Sequence, residues 1–164
     1  MALKLEDKKL VIEEVSAIVA GSVSIVAAEY RGLTVEQMTN LRSKAREAGV
    51  VIRVVKNTLA RKALQGTPFE DMQASLVGPL VLAFSTKELA AAARVVKDFK
   101  KGNEALVVKS LSIGSGVMDP AQLDAVAALP TYEEALSKLM YVMKAPVEKL
   151  ARTLAAYKEA REAA

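Results

Sequence analysis

The sequence contains no cysteine and no histidine. Without cysteine there is no disulfide framework, zinc ribbon, thiol nucleophile or iron–sulfur site. Without histidine, serine-type triads, imidazole general bases and most transition-metal sites are excluded. Any enzyme chemistry left would rest on carboxylates, lysine, serine or bound magnesium. Tryptophan is missing too, and aromatic residues make up only 4% of the chain, so the core has to be aliphatic. No apolar run reaches the roughly 18 residues of a membrane span. Residues 1–9 mix both charges and lack the apolar centre of a signal peptide. A soluble cytoplasmic protein is therefore expected, with no membrane partner, no metal and no cofactor.

The chain has 164 residues, 52% hydrophobic and 26% charged. That suits one globular domain with an appendage. The net charge is +4, and its distribution is uneven. Residues 1–65 hold 11 basic and 7 acidic side chains, whereas residues 66–164 hold 12 of each. Within 40–62 lie Arg42, Lys44, Arg46, Arg53, Lys56, Arg61 and Lys62 against a single acid, Glu47. Such a patch on an otherwise neutral protein points to a polyanion, RNA before a membrane because no hydrophobic anchor accompanies it. The bland alternative is a solvated surface.

Three pairs fit the capping box that opens a helix: Thr34 with Gln37, Ser85 with Glu88, and Thr131 with Glu134. Thr67-Pro68 and Asp119-Pro120 supply proline for a first helical position. Gly21, Gly49, Gly66 and Gly102 mark helix ends. Short β-branched runs at 23–28, 50–55, 76–84 and 105–113 read as strands. The first two are almost continuously apolar, as strands covered on both faces are, and the last alternates toward its end. The expected fold is α/β, a small four-stranded sheet flanked by helices and followed by an extended C-terminal helical segment. Leu129-Pro130-Thr131 divides the chain into 1–130 and 131–164.

Two groups of residues can carry function. Arg31-Gly32 and Lys56-Asn57-Thr58 are strand-to-helix turns, and the second sits at a helix N-terminus, where free amides favour phosphate. If their strands ran parallel, both turns would fall at one sheet edge, a usual ligand crevice. Tyr30 offers a stacking face there. Ordinary turn chemistry accounts for the same residues. The second group is a stripe on the terminal helix. Leu136, Met143, Leu150 and Tyr157 recur every seven residues, with Met140, Val147 and Leu154 beside them and Leu139 next to Met140. Such a stripe packs within the chain, on a second copy, or against a partner's helices. Pro146 could divide it in two. Ile113-Gly114-Ser115-Gly116 lacks the third glycine of a dinucleotide loop. Gly78-Pro79 reads as an edge or bulge device. No catalytic pair of carboxylates is evident. An α/β enzyme holding a phosphorylated metabolite on the Arg31–Lys56 rim is the alternative function.

Several segments resemble the bacterial large-subunit ribosomal protein ten family, the stalk base proteins. They are Glu29-Tyr30-Arg31-Gly32-Leu33-Thr34-Val35, Arg46-Glu47-Ala48-Gly49-Val50, Arg53-Val54-Val55-Lys56-Asn57-Thr58-Leu59, Gly66-Thr67-Pro68-Phe69, Val77-Gly78-Pro79 and Leu129-Pro130-Thr131-Tyr132-Glu133-Glu134-Ala135. The resemblance implies a structural role without catalysis. The N-terminal domain would bind folded large-subunit rRNA beside ribosomal protein eleven. The C-terminal helix would bind dimers of the acidic stalk protein, which recruit translational GTPases. Carried over by motif, Arg31, Gly32, Lys56, Asn57 and Thr58 face RNA, supported by Arg42, Arg46, Arg53 and Arg61; Tyr30 and Lys62, read from the rim and the basic patch themselves, complete the expected RNA-binding set. Some relatives have a longer tail and an extra dimer, and two dimers are expected here.

Overall fold

The computed structural model describes residues 5–103, 105–114 and 116–162. Residues 1–4 of the charged N-terminal stretch, Ser115, and the last two residues of the expected terminal helix lie outside the described residues. The chain divides into two units, Met1–Leu129 and Pro130–Ala164.

In the first unit the elements run α1 (Leu5–Ala20), β1 (Ser24–Glu29), α2 (Val35–Glu47), β2 (Val50–Arg53), α3 (Asn57–Leu64), β3 (Leu80–Ser85), α4 (Ala91–Gly102), β4 (Val107–Ser112), β5 (Val117–Met118) and α5 (Leu123–Ala127). Short 3₁₀ turns cover Glu70–Ser75 and Pro120–Gln122. The strands form one sheet in the order β2-β3-β1-β4-β5, and every neighbouring pair is antiparallel. The sheet therefore has five strands where four were expected. The extra strand is the two-residue β5, too short to leave an apolar run. It folds back on β4, and Ser112 Oγ donates to the Gly116 carbonyl at 2.8 Å.

Both faces of the sheet are covered. Val26, Ala28, Val81, Ala83 and Val108 pack under α2, α4 and α5, with Leu41, Ala45, Val96 and Phe99 among the covering side chains. Ile25, Ala27, Leu80, Leu82 and Phe84 pack under α1 and α3, with Val15, Val19, Ala60 and Leu64. This explains the unbroken apolar runs in β1 and β3, whose antiparallel pairing would otherwise suit strict alternation. β2 is an edge strand, and only Val50 in it is buried. β2 is nevertheless covered on both faces, if less completely than β1, since Ile52 packs against the α2, α4 and α5 cluster and Val51 against the α1 and α3 cluster. Each fully buried Val, Leu, Ile or Phe contributes about 1.5–3 kcal/mol, so the core holds without tryptophan.

The capping boxes at Thr34–Gln37 and Thr131–Glu134 form with both reciprocal bonds. The one at Ser85–Glu88 does not. Ser85 is the buried last residue of β3, its hydroxyl donates to the backbone carbonyl of Glu88, and α4 starts only at Ala91. A hydroxyl facing inward from a strand cannot cap a helix six residues on. Thr67-Pro68 likewise opens no α-helix, since Thr67 Oγ1 closes α3 on the Leu64 carbonyl at 2.7 Å and only a 3₁₀ turn follows. Gly78-Pro79 is neither an edge nor a bulge. It precedes β3, an inner strand that begins at Leu80.

Candidate nucleic-acid interface and terminal helix

β1 and β2 are each antiparallel to β3, which lies between them. They therefore run in the same direction, and their carboxyl ends reach the same sheet edge in an all-antiparallel sheet. The Arg31-Gly32 and Lys56-Asn57 turns come together there. Gly32 takes φ +89°, a left-handed backbone that a side chain would strain. The lead-in to β3 lies between the two turns. Asn57 Nδ2 donates to the Gly78 carbonyl at 2.9 Å, and the Tyr30 amide donates to the Pro79 carbonyl at 3.4 Å. Lys56 is the N-cap of α3 and makes no side-chain cap bond, so no cap from its side chain competes for the first-turn amides. Arg31, Arg53, Lys56 and Thr58 are exposed. Glu29, at the end of β1, is paired with Lys109 at 3.1 Å. A cavity of about 420 Å³ opens between the two turns, lined by Tyr30, Val54, Lys56, Asn57, Thr58 and Pro79 among others.

The other bases separate. Arg42, Arg46 and Arg53 line a shallow depression of about 250 Å³ along the open edge of β2. Lys44 looks toward α4, where its charge joins those of Lys101 and Lys97 around Asp98. The Asp98 carboxyl is held below the usual carboxylate range, first by the hydrogen bond from Lys101 and then by its charge. Arg61 points inward. Its Nη2 donates to the Leu76 carbonyl at 2.7 Å, and its Nε is buried without a partner. Lys62 is exposed on α3. Five of the seven bases of 40–62 thus divide among a rim, an edge groove and a structural staple, with Lys44 and Lys62 outside all three, instead of forming one patch. Among the described residues no cluster of acids could hold a metal ion.

The family model described as Ribosomal protein L10 matches residues 3–101, and the one described as Ribosomal protein uL10 C-terminal region matches residues 129–164. A protein of Hydrogenovibrio crunogenus named Large ribosomal subunit protein uL10 is 71% identical over 99% of this chain and 98% of its own length. The protein of the same name from Psychrobacter is 53% identical over the whole of both chains, and that of Thioalkalivibrio sulfidiphilus 56% identical over 94% of this chain and 88% of its own. The chain belongs to the ribosomal protein uL10 family. It is a large-subunit ribosomal protein and not an enzyme.

The uL10 C-terminal region coincides with α6 (Tyr132–Glu162), one helix of 31 residues, about 46 Å long at 1.5 Å per residue. None of its residues is buried. Leu136, Leu139, Met140, Met143, Val147, Leu150, Leu154 and Tyr157 are all exposed, from 41% at Leu136 to 72% at Met143. Ion pairs such as Glu148–Arg152 at 3.4 Å and Lys158–Glu162 at 3.6 Å support its polar face. Pro146 sits inside the helix and brings no N–H for the Val142 carbonyl. Tyr141 and Val142 are exposed as well, at 56% and 65%, and broaden the apolar surface before Pro146 beyond the seven-residue stripe. On the rim, Val54, Val77 and Val107 are exposed. Val107 opens β4 as expected, whereas Val54 and Val77 lie outside β2 and β3 although they belong to the β-branched runs, because such runs look alike whether or not the ladder continues through them. No described helix is long and apolar enough to cross a membrane.

Proposed function

We propose that this uL10-family chain is the base of the ribosomal stalk, joining rRNA to helical partners. The rim at the carboxyl ends of β1 and β2, with the Arg42–Arg46–Arg53 groove, binds folded large-subunit rRNA beside ribosomal protein eleven. The apolar stripe of α6 docks the helices of acidic stalk protein dimers, and those dimers recruit translational GTPases to the cytoplasmic ribosome. Two dimers bind, one on each side of Pro146.

What supports the RNA half is convergence. Arg31, Lys56, Asn57 and Thr58 share one rim, and the adjoining acid Glu29 is already paired with Lys109. The observation that carries the docking half is a 31-residue helix whose large apolar side chains are all exposed. Apolar surface of that extent marks an interaction site. Removing residues 131–164 tests both halves together. The remaining unit contains both core clusters, so RNA binding in a filter assay is expected to persist while recruitment of stalk protein is lost. Recruitment by the truncated chain would overturn the docking reading.

A further inference from the structure

The sheet is stepped at the rim. β1 pairs with β3 as far as Leu80, opposite Glu29, whereas β2 leaves β3 at Leu82, opposite Arg53. Leu80 and Val81 therefore have no partner on the β2 side, and Val54 and Val55 diverge toward α3. Asn57 closes the outer end of the step by its bond to the Gly78 carbonyl. The result is the cavity of about 420 Å³, within the range of small-molecule pockets, roughly 300–1,000 Å³. It suits a nucleoside and is far too small for a duplex.

Its walls divide by chemistry. Tyr30, partly buried against the α2, α4 and α5 cluster, brings an aromatic residue to the lining, and Val54, Val55 and Pro79 supply aliphatic surface. Asn57 and Thr58 supply hydrogen-bonding groups, and Lys56 supplies positive charge. Among the described residues no acid lines it. A phosphate alone would gain nothing from the apolar walls. A planar base with polar edges, attached to a phosphate, matches all three, because an unstacked base can lie on an aromatic ring while its edge is read by side chains. We propose that this cavity receives a single extruded base of the bound rRNA, stacked on Tyr30. The proposal rests on the RNA-binding reading of the rim and adds a non-electrostatic contact to it.

Stacking and phosphate contacts differ in their response to salt, because only charge neutralisation releases counterions. The test uses the full chain and deproteinised rRNA from a bacterial large subunit, with affinity measured across a salt series. Tyr30→Leu keeps apolar volume against the core and removes the ring. It is expected to lose about tenfold in affinity with an unchanged salt slope. Tyr30→Phe restores the stacking face and is expected to recover most of that loss. Independently of any variant, short-wavelength ultraviolet cross-linking of the wild-type complex followed by mass spectrometry is expected to find a nucleotide on the peptide containing Tyr30. Millimolar AMP, CMP, GMP or UMP is expected not to displace the rRNA, and displacement would make the cavity a free-nucleotide site and overturn the proposal. Full affinity in Tyr30→Leu, or cross-links that avoid residue 30 and residues 54–58, would remove the pocket while leaving the RNA interface standing. Failure of the wild-type chain to bind the rRNA would remove both.

Discussion

Lys44 and Lys56 belong to the same basic stretch and have different surroundings. Lys56 is the N-cap residue of α3 at the rim, and Lys44 shares a depression beside α4 with Asp98 and Arg94. Replacing Lys56 or Arg53 by alanine is expected to weaken rRNA binding and to reduce the slope of log affinity against log salt by about 0.7–0.9 each. Lys44→Ala is expected to leave the slope unchanged. Filter binding across a salt series reads both outcomes, and equal effects of the three substitutions would refute the division of the patch. Arg61 behaves differently again. Its bond to the buried Leu76 carbonyl ties α3 to the segment that leads into β3. Arg61→Ala is expected to destabilise the fold by about 1–3 kcal/mol, the cost of a lost charge-assisted hydrogen bond, with a salt slope close to wild type. Urea unfolding followed by circular dichroism measures the first quantity. Composition cannot distinguish Arg61 from Arg53. Only the position of a carbonyl fifteen residues away in the chain does so.

At the scale of elements, the helix α6 combines a favourable pattern with one unfavourable residue. Proline in a helix interior costs about 3 kcal/mol relative to alanine and removes one backbone hydrogen bond. Pro146→Ala is therefore expected to slow amide hydrogen exchange over the turns around residue 146. Exchange at the wild-type rate would show that Pro146 is not a weak point between two docking segments. The stripe of α6, the two true capping boxes and the apolar run of β1 are local patterns, and sequence periodicity reads them correctly. The false capping box at Ser85 and the strand ends at Arg53 and Leu80 are settled by neighbours. Ser85 turns inward because β3 runs between β2 and β1, and the valines at 54 and 77 are left on the rim because their strands have no partner there.

For the whole molecule, the two units differ in how they satisfy their apolar surface. The first buries it in two clusters on opposite faces of one sheet. The second is a single helix, which has no core of its own. Native mass spectrometry of the full chain with acidic stalk protein is expected to give two dimers per chain, and a count of one or three would reject the division at Pro146. The free chain is expected to sediment as a monomer, whereas a dimer would favour self-association through α6. The residues alone determined the aliphatic core, the absence of imidazole and thiol chemistry, the α/β class and the existence of the apolar stripe, because each depends on side-chain type and on a period of a few residues. Tertiary structure decided that the sheet has five antiparallel strands, that β1 and β2 nevertheless end at one edge, and that a stepped ladder opens a cavity beside Tyr30. Those features depend on pairing between segments distant in the chain, where the free energy comes from backbone hydrogen bonds and shared burial that no local pattern records.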